Sequence, residues 1–145
     1  MESKRVSRSN YGSVTFRHHC FWALGFADLR RRLVTSIEAA GQWIMQEIDA
    51  LALLRRDAYM IGAAVQILGF HPGFMARLLT ADPAALLATP LRYALPAHPD
   101  GAVAVSWTDH AASFARYGRA ALEKRGLELA ALSQAIVASA QTDAA

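Results

Sequence analysis

Val65-Gln-Ile-Leu-Gly-Phe-His-Pro-Gly-Phe-Met-Ala-Arg-Leu-Leu-Thr-Ala-Asp-Pro83 is the stretch on which the reading of this chain turns. Ala63 to Phe70 is a short, mostly apolar run of the kind found in strands interior to a sheet. Gly69 to Pro72 makes a tight corner. Beyond it Phe74, Met75, Leu78 and Leu79 recur at helical spacing, and Arg77 falls on the other side. Pro72 has no N–H to donate and a φ already near the helical value, so it suits the first helical position, with His71 before it as the cap. Asp82-Pro83 repeats the arrangement of cap then proline, breaking the helix and opening a further turn that ends at Thr89-Pro90.

Outward from this corner the pattern alternates between strands and helices. Ser13 to Leu24, with Val14, Phe16, Phe21 and Trp22, is rich in the β-branched and aromatic residues that fit a pleated surface. A helix follows, with Leu29, Leu33, Val34, Ile37 and Ala40 at helical spacing, Asp28 as the expected N-cap and Gly41 as the stop. Gln42 to Ile48 reads as a second strand, and Asp49 as the cap of a short segment from Ala50 to Arg56. On the C-terminal side, Leu91 to Leu95 and Val103 to Trp107 alternate at period two around a loop dense in turn formers, which predicts an antiparallel pair. Thr108-Asp-His110 then leads through Phe114 and Tyr117 to Gly118, and Leu127 to Ala140 is expected to form a terminal helix. The pattern predicts an α+β fold: a compact two-layer sandwich in which a mainly antiparallel or mixed sheet packs under two main helices, with short helices at the C-terminal end.

The bulk properties bound the class. A chain of 145 residues suits one domain. Its hydrophobic content of 54% is swollen by alanine, which adds helix propensity more than buried area. No run of apolar residues is long enough for a membrane span, and Met1 to Arg8 lacks the apolar core of a signal peptide, so no membrane association is expected. The lone Cys20 has no partner for a disulfide, which fits a reducing, cytoplasmic setting. The net charge of +3 is modest. Lys4, Arg5, Arg8 and Arg17 lie in or near the N-terminal tail, and Arg30, Arg31 and Arg32 stand together on the first helix. Residues 1 to 12 read as a flexible basic leader, and 13 to 141 as the single domain. A basic tail attracts phosphate, but nucleic-acid binding ordinarily needs a broader basic face, so it is the weakest of the functional readings.

Three groups of residues are candidates for chemistry. His18-His-Cys20 resembles a ligand set, yet strand neighbours point to opposite faces, so only His18 and Cys20 can share a metal, and no metal site is expected. His71 stands at a helix N-terminus, where unpaired N–H groups favour a neutral imidazole that acts as a cap or accepts a proton. Asp109 and His110, at the end of a strand, are the natural partners for it. Trp43, Trp107, Tyr93, Phe74 and Phe114 read as core or subunit interface. There is no glycine-rich phosphate loop, nucleophile elbow or His-Glu-x-x-His motif, and no cofactor is expected.

The order of these pieces resembles the family catalogued as domain of unknown function 302. The resemblance is carried by Phe26-Ala-Asp-Leu29 and the helix to Gly41, Glu47-Ile-Asp49, Ile67-Leu-Gly-Phe-His-Pro72, Leu79-Thr-Ala-Asp-Pro83, Thr89-Pro-Leu91, Asp100-Gly101 and Val105-Ser-Trp-Thr-Asp109. It implies a two-layer α+β domain that often forms homodimers, and it implies no activity. His71 stands where the family usually has Asn, Ala50 where one branch often has His, and His110 where Pro is usual. Phe70 and Leu91 occupy the places near which another branch carries thiols, so this chain is similar to the branch lacking those cysteines. The resulting expectation is a homodimeric binding or interaction domain whose small-molecule site, if present, lies around Gly69 to Pro72. A small acid-base enzyme using His71 with Asp109 or His110 is the alternative.

Overall fold

The computed structural model describes residues 17 to 142 apart from 24, 97 and 99. The leader expected over residues 1 to 12, and the start of the first strand, lie outside the described residues. The elements follow in the order β1 (Arg17–Trp22), α1 (Phe26–Ala39), β2 (Trp43–Asp49), α2 (Ala50–Arg55), β3 (Ala64–Phe70), α3 (Pro72–Ala81), a 3-10 turn (Pro83–Ala88), β4 (Leu91–Pro96), β5 (Val103–Thr108), α4 (His110–Ala115) and α5 (Ala120–Gln141). The strands form one sheet in the order β1-β5-β4-β3-β2, and every pairing is antiparallel.

The corner is built as its residues dictate. In β3, Val65, Ile67 and Gly69 are buried, alternating with half-buried neighbours. After Phe70 the chain turns at His71, whose Nδ1 accepts a hydrogen bond from the Phe74 N–H at 3.0 Å, and Pro72 takes the first helical position. Asp82 caps the 3-10 turn through the Ala84 N–H and Asp49 caps α2 through the Ala52 N–H, each at 3.0 Å. Helix α1 starts earlier than expected. Gly25 is its N-cap, and Asp28 sits inside the first turn, where a carboxylate also suits the helix dipole and where it engages Arg31 and Arg32.

The C-terminal end departs most from expectation. The terminal helix begins at Ala120 rather than Leu127 and, at 22 residues, is the longest helix among the described residues, so of the two C-terminal helices only α4 is short. At that length it lies against α1, α3 and α4 together. The core forms between these helices and one face of the sheet. Leu29, Leu33 and Ile37 of α1, Leu122, Leu129 and Ile136 of α5, Leu78 of α3 and Ile67, Leu91, Tyr93, Leu95 and Val105 of the sheet are all essentially inaccessible. Each such aliphatic side chain contributes about 2 kcal/mol by leaving water. Ser36 Oγ donates to the Ile136 carbonyl at 2.6 Å, pinning α1 to α5. Where α4 crosses α5, Gly126 is buried, and a Cβ there would lie 2.7 Å from the His110 carbonyl and 2.9 Å from Phe114 Cβ. The opposite sheet face carries Gln66, Leu68, Phe70, Arg92, Ala94 and Ser106, all partly or fully open to solvent. The result is the two-layer α+β sandwich expected from the sequence.

Candidate functional site

β3 and β5 run in the same direction, both antiparallel to β4, so His71 and Asp109 leave the same end of the sheet. One strand lies between them, which separates their backbones by roughly 10 Å, two inter-strand spacings. His71 turns away from that gap. Its Nδ1 serves the cap, its ring meets Phe74 edge-on at 6.4 Å, and Nε2 faces Gly41 at the end of α1. Gly41 has φ +82°, which a side chain would strain, and it lets the chain turn tightly past the imidazole. Trp43 pairs with Phe70 across β2 and β3, and their rings stack at 6.1 Å beside the corner. Of the five aromatic residues expected in core or interface, Tyr93, Phe74, Phe114 and Trp107 are buried, whereas Trp43 is 59% exposed.

Asp109 and His110 meet a different histidine. Asp109 caps α4 by accepting from the Ala112 N–H at 3.0 Å, and its other carboxylate oxygen lies 3.4 Å from His18 Nε2. His18 sits opposite Trp107 in the register of β1 and β5, with ring centroids 5.5 Å apart. His110 is buried and stacks on Phe114, and its Nδ1 has no hydrogen-bond partner among the described residues. Burial lowers the His110 pKa to about 4. The neighbouring Asp109 carboxylate opposes the shift, and His18 adds slightly to it. His110 is therefore a neutral imidazole at physiological pH.

The link between His18 and Asp109 depends on β1 pairing with β5, two strands at opposite ends of the sequence. The signal that could have found it is the pairing of a strand bearing His18 with one ending at Asp109, and nothing local specifies that pairing. His18 and Cys20 do share a strand face by alternation. Among the described residues, no group of three or more His, Cys, Asp or Glu side chains is placed to hold a metal ion.

A second polar cluster lies in the core. Tyr93 on β4 meets Ser133 of α5 and Gln42, which follows α1, and burial raises the tyrosine pKa while those two neighbours partly offset it. Gln42 lies over Gly69, where a Cβ would collide with its side-chain oxygen. The glycine of the corner lets the Gln42 side chain lie close over the strand, its φ being ordinary. This cluster joins sheet to helices and is sealed from solvent.

Residues 22–140 match the family described as "Domain of unknown function DUF302". The chain belongs to the DUF302 family. The fold agrees with a solved DUF302 structure, the uncharacterized conserved protein from Bacillus stearothermophilus. That structure superposes with a TM-score of 0.81 over 87% of this chain and 98% of the other, at 13% identity. At that identity the likeness concerns the fold. No curated protein matches the chain. Membership in DUF302 brings no assigned activity, and no catalytic motif is recognisable in this member. Among the described residues, no helix is long and apolar enough to cross a membrane.

Proposed function

We propose that this DUF302 chain is a cytoplasmic homodimeric interaction domain of the branch without corner thiols, and that its contact surface is formed by β2, α2 and the segment that follows. The observation that carries this reading is the exposure of large apolar side chains along one run of sequence: Trp43, Met45, Leu53, Leu54, Tyr59, Met60 and Ile61. α2 buries none of its residues, which is unusual for a helix of alanine and leucine. A typical monomer leaves no contiguous apolar patch larger than roughly 300–600 Å². A stable dimer needs roughly 800 Å² from each partner, which side chains of this size supply in large part.

β2 is also an edge strand, and its register slips between Ile44 and Gln46. Such a bulge discourages the open-ended backbone pairing that a flat edge invites. Side chains meeting across a two-fold axis close the assembly at two copies. The stacked Trp43 and Phe70 bring this surface to the corner at His71, so a small-molecule site near Gly69 to Pro72 would sit at its margin.

Light scattering at micromolar concentration tests the reading. The expected mass is twice the 15.7 kDa of the chain, falling to one chain when Trp43→Glu and Met60→Glu are combined. A wild-type protein of monomer mass would refute it.

One observation favours acid-base chemistry as a second reading. His18 and Asp109 lie at ion-pair distance at a partly open site, with neutral His110 beside them. His71 would join that chemistry only through a substrate spanning the end of β4. Association of the basic tail with nucleic acid concerns residues outside those described.

A further inference from the structure

Methionine is an apolar side chain that a mild oxidant turns into a polar one, so its placement decides what oxidation does to a surface. Met45, Met60 and Met75 are the methionines among the described residues. Met75, on α3, is 2% exposed and belongs to the core, whereas Met45 is 57% and Met60 75% exposed. Both exposed thioethers fall within the apolar run from Trp43 to Ile61 that the dimer reading uses. The backbone sets each of them there. The register of β2 on β3 steps from Ile44 opposite Gly69 to Gln46 opposite Leu68, which leaves Met45 as the extra residue of the bulge. At the end of α2, Ala58 takes φ +63°, a conformation uncommon for a residue with a side chain. Its N–H donates to the Arg55 carbonyl and the Tyr59 N–H reaches back to the Leu54 carbonyl, each at 3.1 Å, which closes the helix. Beyond that turn Tyr59, Met60 and Ile61 follow one another in solvent.

Hydrogen peroxide acts on such a sulfur directly. The sulfur lone pair attacks one peroxide oxygen, the O–O bond breaks, and an S–O bond forms while the other oxygen takes the proton and leaves as water; the sulfur is oxidised by two electrons and the peroxide reduced. The sulfoxide keeps the shape of the side chain but adds an acceptor oxygen, which is costly to bury without a donor. A two-fold axis repeats each change, so oxidation at both positions puts four sulfoxides into one interface. Pairing hides the thioethers and separation exposes them, so oxidation acts on the separated chain and withdraws it from pairing. By the same linkage, pairing protects the thioethers.

We propose that peroxide regulates the homodimer: sulfoxide formation at Met45 and Met60 holds the chain as a monomer, and reduction of the sulfoxides restores the pair. In the reduction two thiols become a disulfide as the oxygen leaves as water, a reaction that methionine sulfoxide reductases carry out. The proposal rests on the dimer reading and adds the regulation of that same surface. Met75, buried under the helices, takes no part.

Light scattering of the full chain before and after hydrogen peroxide, each sample then treated with dithiothreitol, tests the switch. Dithiothreitol returns a sulfenic acid or disulfide at Cys20 to the thiol and leaves a methionine sulfoxide in place. The mass should fall from two chains to one as the dissociation constant of the pair rises about a hundredfold or more, with peptide mass spectrometry finding the added oxygen at Met45 and Met60 and not at Met75. Methionine sulfoxide reductases with dithiothreitol should then restore two chains. Met45→Leu combined with Met60→Leu keeps the apolar volume and should stay dimeric through the same treatment. A single-chain mass before any peroxide would refute the dimer reading and the switch together. A wild type that stays dimeric with both sulfoxides in place, one that dissociates with no oxygen at Met60, or one that stays monomeric after the sulfoxides are reduced would overturn the switch alone. So would a leucine variant that peroxide dissociates equally.

Discussion

Replacing His110 by leucine should flatten the acid side of the stability profile. The imidazole is 3% exposed and stacked on Phe114, and its folded pKa is about 4 because burial disfavours the charged form. In the unfolded chain it titrates near the ordinary value of about 6.5. Between those two values the unfolded state holds a proton that the folded state does not, so folding is favoured as pH rises. The stabilisation is complete above about pH 6.5, declines as pH falls and is gone below about pH 4. A difference of about 2.5 pKa units corresponds to about 3 kcal/mol, a large share of the 5–15 kcal/mol that holds a typical domain together. Asp109 and His18 are the titratable groups acting on the ring, and both remain in the variant, so the difference between the two proteins reports on His110. Urea unfolding at intervals from pH 7.5 to pH 4 reads the effect. The wild type should lose about 3 kcal/mol more than His110→Leu over that range. Parallel curves would refute the reasoning, showing that water or a local opening solvates the ring as well in the folded state as in the unfolded one.

Gly126→Ala should destabilise the protein by about 1–3 kcal/mol despite alanine's better helix propensity, because the new methyl meets the His110 carbonyl and Phe114 Cβ and must push α4 off α5; a melting temperature equal to or above that of the wild type would contradict this packing. His71→Ala should cost about 1 kcal/mol through loss of the cap to the Phe74 N–H, while His71→Asn should keep most of that stability. Equal urea midpoints for the alanine and asparagine variants would show that the cap contributes nothing.

The chemistry of chain ends and corners was legible because it is local. His71-Pro72, Asp82-Pro83 and Asp49 announce helix starts wherever they occur, since the groups they satisfy lie two or three residues away. The period of Leu29, Leu33 and Ile37 announces a buried helix face for the same reason. Helix α1 shows where local reading slips: an aspartate suits both the cap and the first turn, and only the path of the chain at Gly25 decides between them. α5 shows another slip. Its segment before Leu127, Ala120-Ala-Leu-Glu-Lys-Arg-Gly126, is made of strong helix formers up to its glycine, and the helix runs on through Gly126 because Leu122 enters the core and the missing side chain admits α4.

By itself the sequence determined the alternation of strands and helices, the corner at Gly69 to Pro72 and the two-layer class, all consequences of side-chain period and backbone preference over a few residues. Tertiary structure alone decided which residues share a site. Strand order is chosen by the global burial of one sheet face, and it placed β1 beside β5, so that Asp109 met His18 while β4 stood between Asp109 and His71. The same choice left β2 at the edge with Trp43 in solvent. Contacts between residues a hundred positions apart depend on how every intervening element packs, and no local pattern encodes them.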